Sequence, residues 1–329
     1  MTAKRFPLFA WGVFGYSMLV ILWGYFLRIS ESGDGCGTDW PLCHGAVVPA
    51  AAEFPTWVEF IHRASSGLVL LLVLAMAIWA FRGFQRGHAV RKAAGAALLL
   101  TITESLFGAV LVVFGWVASD VSTARVLIRP FHVTNTFLLM AALVLTAWWA
   151  TRRTIRVPAL RGRELRLVGP ALAGVLALAW TGAWTGLATT AFPAETLREG
   201  MGQYLDPEHI LIYLRMSHPV LAVGVVILVG KLALETHRRF EDSTLRTLSL
   251  GVGALAAVQL VSGPVTVLMM NPVWARLLHL FLADLLWMGL VLLGASLLSE
   301  ARSEARPGVR SPAQQGATVP LPGVVSEGG

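Results

Sequence analysis

The sequence predicts an all-α polytopic membrane protein, with eight transmembrane helices arranged as two pseudo-symmetric four-helix bundles. Three observations predict this class: the composition, a series of long apolar segments, and an internal repeat of polar residues within them. Of the 329 residues, 56% are hydrophobic and only 14% are charged, whereas about a quarter of the residues in a soluble domain are charged. This composition excludes an ordinary soluble protein.

The apolar segments account for most of the chain. A membrane-spanning helix needs roughly 20 mostly apolar residues. Eight segments meet this requirement, at about residues 6–27, 58–81, 93–117, 129–150, 167–190, 209–231, 247–270 and 273–298. They fall into an N-terminal half (residues 1–151) and a C-terminal half (residues 152–299). Residues 300–329 are rich in Pro, Gly, Ser and Ala, which predicts a disordered cytoplasmic tail.

The excess of basic residues indicates orientation in the lipid membrane and not binding to nucleic acid. The net charge is +7. If the N-terminus lies inside, most Lys and Arg residues fall in the inner loops, while the outer loops carry Asp and Glu. The positive-inside rule therefore predicts that both termini are cytoplasmic.

The first outer loop, residues 28–57, contains the only two cysteines of the chain, Cys36 and Cys43. Because the outer face is oxidising and the loop is rich in Gly, a short-range disulfide is permitted there. Such a bond is either a structural staple or a labile, redox-active pair, and the sequence leaves both open. A zinc site is not favoured, because these cysteines and His44 have no second ligand cluster.

Each even-numbered segment has a histidine near its outer end, with a charged residue three positions before it. On a helix, residues three apart share a face. A lone intramembrane histidine is either a functional group or a satisfied core side chain, but four at matching positions indicate function. The pairs are Glu59 with His62, Arg129 with His132, Arg215 with His218, and Arg276 with His279.

Two histidines on neighbouring helices can bind one metal ion from opposite sides, and in an apolar bundle this pattern favours haem iron. A bare zinc or copper site would need further polar ligands. We therefore predict one haem in each half, bound by His62 with His132 and by His218 with His279. Arginines one turn away would bind haem propionates, or else extend towards the membrane surface; they are Arg63, Arg129, Arg215 and Arg276.

The two halves are related by an offset of about 155 residues, which takes His62 to His218 and Glu104 to Gln259. Since each half has four spans, the repeats should be related by an axis along the membrane normal. Glu59 breaks the pattern, because it stands in the place of Arg215. A carboxylate there could donate or accept a proton. This asymmetry predicts chemistry on the haem of the N-terminal half and electron transfer through a permanent haem in the C-terminal half.

Two further intramembrane acids have no firm role. Glu104 takes the place of Gln259, so a neutral hydrogen-bonding role and a proton path are both open. Asp284 lies off the face of its neighbouring histidine.

Taken together, these residues resemble the haem A synthase family of the bacterial CtaA type. The resemblance covers residues 6–298. It rests on the Glu-x-x-His-Arg motif at residues 59–63, the Cys loop at residues 36–43 with Asp-Trp-Pro-Leu-Cys, and the Gln-x-x-x-Gly motif at residues 259–263. It rests also on the four histidines, His62, His132, His218 and His279.

The resemblance implies an oxidase of the bacterial inner membrane. It would convert haem O into haem A for cytochrome oxidase by oxidising a porphyrin methyl group to a formyl group, through successive hydroxylations and loss of water. The N-terminal half would bind haem O and the C-terminal half a haem B cofactor. By position, Glu59 would be the catalytic carboxylate, His62 and His132 the substrate ligands, His218 and His279 the haem B ligands, and Cys36–Cys43 a disulfide.

Three positions depart from the family pattern. Pro219 follows His218 where Arg is common, Glu104 stands where Gln is expected, and His44 stands where Asn is frequent. Haem O synthase and oxidase assembly factors are partners implied by the resemblance. The electron donor or acceptor, the source of oxygen and the oligomeric state, a homo-oligomer included, stay open.

Two other function classes compete with this interpretation. A dihaem b-type electron carrier that oxidises quinol would use the same four histidines without needing Glu59. A transporter with a proton relay would need polar residues near mid-membrane and broken spans, and the sequence shows few of either.

Overall fold

A computed structural model describes residues 5–50, 53–152 and 165–304, and this part of the chain is helical, with no β-strand. Eight of its helices are long and apolar enough to cross a membrane, which confirms the predicted class of multi-pass all-α protein. The short helix α6 was not predicted. The helices are α1 (Phe6–Ile29), α2 (Phe54–Gly83), α3 (Ala89–Val113), α4 (Thr123–Thr151), α5 (Leu165–Ala191), α6 (Leu197–Gly202), α7 (Ile210–Arg239), α8 (Ser243–Leu268) and α9 (Val273–Glu304).

Four helices, α2, α3, α4 and α8, begin at least four residues earlier than hydropathy predicts. Local residues at the starts of α2 and α4 explain those two cases. Helix α2 begins at Phe54, with Pro55 in the first turn, where its missing N–H is not needed. Helix α4 begins after Ser122, whose hydroxyl accepts a hydrogen bond from the backbone N–H of Arg125. Consequently the candidate histidines of both helices lie about two turns inside and not at the first turn.

The last helix is also longer than predicted. Helix α9 continues through Glu304, past residue 299, because nothing in residues 300–304 breaks a helix before Pro307. The rest of the predicted tail lies outside the described residues.

Pro130 and Pro219 lie inside helices, and each leaves the carbonyl four residues before it without its helical N–H partner. Side chains of α5 donate to these carbonyls instead. Pro130 leaves the carbonyl of Val126 without its helical partner, and Trp184 Nε1 donates to that oxygen at 3.0 Å. Pro219 does the same to Arg215, whose carbonyl accepts from the hydroxyl of Thr185 at 3.3 Å. Helix α5 therefore stabilises the turns that carry a candidate histidine in each half.

Helices α1–α4 pack on one another, as do α5 and α7–α9, while α4 contacts α5 and α9, and α1 contacts α9, between the two groups. Between the groups, Trp287 Nε1 donates to the carbonyl of Phe137 at 2.6 Å. Tyr25 donates to Asp284 Oδ1 at 3.4 Å, and this aspartate is only 2% exposed. The two-bundle, pseudo-symmetric arrangement itself stays a prediction.

Candidate haem sites

In the C-terminal half, the structure brings together the two histidines that the sequence paired. The imidazole rings of His218 on α7 and His279 on α9 have their centroids 6.4 Å apart and their planes at 79°. Two imidazoles that bind one metal ion from opposite sides, each at about 2.0–2.1 Å, place their ring centroids roughly 6 Å apart. The separation therefore fits a pair of axial ligands.

Each of these rings is held through Nδ1. His218 Nδ1 lies 3.1 Å from Thr181 Oγ1 and 3.2 Å from the carbonyl oxygen of Leu178. His279 Nδ1 lies 2.8 Å from Ser262 Oγ. These contacts leave Nε2 of both rings for a metal, apart from a 3.3 Å approach of the Gln259 side-chain nitrogen to His279 Nε2. Hydrogen bonds of this kind fix the orientation of metal-binding histidines.

Glycines make room beside both rings. A Cβ at Gly182 would lie 3.2 Å from His218 Cε1, and a Cβ at Gly263 would lie 3.4 Å from His279 Cε1. In the described part of the chain no three His, Cys, Asp or Glu side chains gather to hold an ion. A metal bound by His218 and His279 would thus need ligands from a cofactor, and the four nitrogens of a porphyrin meet that need. The residues present fit haem.

The N-terminal half has the same framework with different contacts. His62 on α2 faces Gly24 of α1, where a Cβ would lie 2.8 Å from His62 Cε1. His62 Nδ1 is buried without a hydrogen-bond partner. The pairing of His62 with His132 stays a prediction here, and His62 lacks the Nδ1 anchor that both rings of the C-terminal half have.

Glu104 of α3 contacts His132 directly, with its Oε1 3.0 Å from His132 Nε2. The same carboxylate accepts hydrogen bonds from Asn135 Nδ2 at 2.6 Å and from the hydroxyl of Thr136 at 2.5 Å. Its equivalent Gln259 instead donates to the backbone carbonyl of His279 at 3.0 Å. Glu104 is therefore an ordered acceptor within the N-terminal site, in a place where a glutamine would have been expected.

Glu59 is only 2% exposed, and both of its oxygens have partners. Arg63 donates to Oε1 through Nε at 3.1 Å and Nη2 at 2.6 Å. The backbone N–H of Cys36 donates to Oε2 at 2.7 Å. The predicted catalytic carboxylate is thus also the point where α2 holds the Cys loop.

Arg63 reaches away from the histidines and into the same loop. Its guanidinium donates to the carbonyls of Gly37 at 3.2 Å and Asp39 at 2.8 Å, and to that of Leu42. The sequence predicted that the guanidinium N–H groups of Arg63 would bind a haem propionate, but these groups are already used in the bonds to the loop. In this structure Arg63 contacts loop carbonyls and Glu59.

The Cys loop, residues 30–50, is closed by a Cys36–Cys43 disulfide, in agreement with the sequence prediction. Gly35 packs directly on the backbone carbonyl of Pro55, where a Cβ would not fit. His44 has φ +51°, in the left-handed region where His and Asn are both enriched. This conformation accounts for His44 at a place where the family often has Asn.

The other three arginines, Arg129, Arg215 and Arg276, each lie one helical turn before a candidate histidine. Arg129 is 9% exposed, and its Nε is buried without a partner, as is that of Arg215. Arg215 Nη2 donates to Gln203 Oε1 at 3.2 Å, and Arg276 Nη2 to Thr190 Oγ1 at 2.7 Å. A buried cation with an unpaired donor would be stabilised by a bound anion.

We expect that Gly24→Ala weakens the N-terminal site without unfolding the chain. The new methyl group would lie 2.8 Å from His62 Cε1, so the ring must shift, and overpacking of this kind costs about 1–3 kcal/mol. Titration of the purified protein with haem O should show weaker binding. Gly12→Ala on the same helix is the control, because nothing lies within 4 Å of its Cβ. Equal effects of the two substitutions would contradict the prediction.

A second prediction concerns Arg63→Lys, which should loosen the Cys loop. A lysine keeps the charge but cannot reproduce the guanidinium fork. Losing hydrogen bonds from a charged group costs about 1.5–3 kcal/mol, so hydrogen exchange of the backbone amides at residues 36–43 should become faster. Arg198→Lys, at an exposed position on α6, is the control. Unchanged exchange in the Arg63 variant would show that the disulfide alone orders the loop.

The structure thus defines a class: a multi-pass membrane protein with a pair of facing histidines in its C-terminal half. Comparison with known proteins narrows this class. The family model COX15-CtaA, described as a cytochrome oxidase assembly protein, matches residues 7–291. The chain therefore belongs to the COX15-CtaA family.

Individual relatives carry two different names. A protein of Thermus thermophilus named protoheme IX farnesyltransferase is 42% identical over 318 residues, which cover 93% of this chain and 50% of that protein. A heme A synthase of Exiguobacterium sibiricum is 29% identical over 271 residues, covering 80% of this chain and 86% of the relative. This chain spans about half the length of the Thermus relative.

Proposed function

We propose that the protein is a haem A synthase, which oxidises a methyl group of haem O to the formyl group of haem A for cytochrome oxidase. The observation that carries this proposal is the facing pair His218 and His279, whose 6.4 Å ring separation fits haem ligation. Membership of the COX15-CtaA family and the heme A synthase name of a nearly full-length relative support the same function.

The C-terminal half would hold haem B through His218 and His279, and the N-terminal half would hold the substrate haem O through His62 and His132. When bound, haem B supplies one-electron redox chemistry. Thr181 and Ser262 orient the rings of the haem B ligands. Arg129, Arg215 and Arg276 supply cations for the propionates, and the partnerless Nε atoms of Arg129 and Arg215 favour that role.

Glu59 would act on the substrate side. Each hydroxylation replaces a C–H bond by a C–O bond and withdraws two electrons from the carbon, and loss of water from the resulting diol leaves the formyl group. If water supplies the oxygen, each hydroxylation releases two protons and passes two electrons to an acceptor; if O2 supplies it, two protons and two electrons are consumed and water is formed. A carboxylate is suited to accept or to donate these protons. Contacts with Cys36 and Arg63 hold Glu59 in one position, one helical turn before His62, which favours a positioned proton donor or acceptor.

The relatives suggest a partner. The Thermus protein is twice as long as its match to this chain, and its name describes the addition of a farnesyl group to protohaem. We infer that a haem O synthase supplies haem O to this chain. Oxidase assembly factors and an electron donor or acceptor are further proposed partners. The location would be the bacterial inner membrane, with both termini cytoplasmic and the haem sites near the outer face.

A dihaem electron carrier is the second candidate, and one observation favours it. Both oxygens of Glu59 are engaged by Arg63 and the Cys loop, so this residue also has a structural reason to be present. A carrier would use the four histidines and leave its haems unmodified.

The test is to express the chain in a host that makes haem O but no haem A, and to identify the extracted haems by mass. Appearance of haem A would support the synthase. Two haem B per chain and no haem A, with a confirmed supply of haem O, would favour the electron carrier.

A further inference from the structure

The two candidate sites differ in how their histidine rings are held. In the C-terminal half both rings are anchored through Nδ1, by Thr181 with the Leu178 carbonyl and by Ser262. In the N-terminal half, His62 Nδ1 has no partner. The Nε2 nitrogens do not separate the sites, because Glu104 lies 3.0 Å from His132 Nε2 and the Gln259 side-chain nitrogen lies 3.3 Å from His279 Nε2.

The internal repeat shows which residues cause this difference on the first helix of each half. Gly24 and Gly182 are equivalent, because each lies against the candidate ligand of the following long helix, His62 and His218. The residue before each glycine is therefore equivalent too. In the C-terminal half it is Thr181, which anchors the ring; in the N-terminal half it is Trp23, whose Nε1 donates instead to the Val58 carbonyl at 3.0 Å.

A similar replacement of a hydroxyl by an aromatic side chain occurs on the third spanning helix of each half. The offset of about 155 residues that relates Glu104 to Gln259 places Phe107 at the position of Ser262. Phe107 stacks on the His132 ring, with the centroids 5.8 Å apart and the planes at 22°. Stacking restrains the plane of the ring but offers no acceptor to its nitrogens. Each hydroxyl anchor of the C-terminal half is thus replaced by an aromatic side chain.

We propose that Thr181 and Ser262 are positioning residues that make the C-terminal site retain its haem, whereas Trp23 and Phe107 leave the N-terminal site able to exchange its haem. This inference rests on the proposed function, which requires that haem O enters and haem A leaves one site while haem B stays in the other. Partners behind metal-binding histidines typically contribute about 10- to 100-fold to metal affinity.

The experiment measures transfer of haem from the purified full-length protein to an excess of apomyoglobin, and identifies each transferred haem by extraction and mass. In the wild-type protein, haem O should leave faster than haem B. Thr181→Val and Ser262→Ala should each speed the loss of haem B by about 10- to 100-fold and leave the loss of haem O unchanged. Thr181→Ser, which keeps the hydroxyl, should restore slow loss.

The matched controls are Thr236→Val on α7 and Ser249→Ala on α8, which remove buried hydroxyls bonded only within their own helices. Equal loss of haem B from variants and controls, or failure of Thr181→Ser to restore retention, would overturn the inference. So would wild-type haem O that leaves no faster than haem B. Each of these results leaves the proposed function standing, because both haems are then present. A protein that takes up no haem in either half would overturn both.

Discussion

Replacing Glu59 by glutamine should abolish haem A formation while haem B stays bound. Glutamine is nearly the same size and can still accept the hydrogen bond from the Cys36 backbone, but it cannot take up a proton at neutral pH. Loss of a positioned acid or base typically costs about 10²–10⁴-fold in rate. The measurement is the ratio of haem A to haem O extracted from cells that supply haem O, with haem B counted in the same sample.

Two controls separate proton transfer from damage to the Cys loop. Glu53→Gln changes an exposed carboxylate just before α2 and should have no effect. Arg63→Lys disturbs the loop while keeping the Glu59 carboxylate, so it should retain more activity than Glu59→Gln. If Glu59→Gln still makes haem A at the wild-type rate, Glu59 only holds the loop and the catalytic role is wrong.

The class of fold follows from the sequence because hydropathy depends on composition, and composition needs no knowledge of contacts. Helix starts depend on local capping, which is why α2 and α4 begin earlier than the apolar runs do. The pairing of His218 with His279 was also accessible, because a repeat places both at matching depth. The ring separation confirms that this pair lies together.

Contacts that join distant parts of the chain were not accessible. The four arginines that flank the histidines look equivalent in the sequence, yet Arg63 donates to loop carbonyls at residues 37–42. Thr181 and Ser262 are ordinary residues of apolar spans, and only the fold places them at histidine nitrogens. The repeat offset shows that Phe107 of the N-terminal half corresponds to Ser262 of the C-terminal half. It carries no information on which atoms these side chains contact.

His218→Ala should remove haem B and stop turnover, while the N-terminal site still binds haem O. The substitution deletes an axial ligand, so the loss of affinity should exceed the roughly 10- to 100-fold that a missing outer partner costs. Helix α7 should survive, because Thr185 on α5 continues to supply the donor for the Arg215 carbonyl. The measurement is the number of haem B and haem O molecules per purified chain, with the reduced absorption spectrum as a second record.

His237→Ala is the matched control, because His237 lies in the last turn of the same helix and its buried Nδ1 makes no hydrogen bond. Its haem content should equal that of the wild-type protein. A His218→Ala protein that keeps a full complement of haem B would place that haem elsewhere and remove the basis of the C-terminal site. A protein that loses both haems while remaining folded would show that the halves do not bind haem independently. The contacts of α4 with α5 and α9 would then couple the two sites.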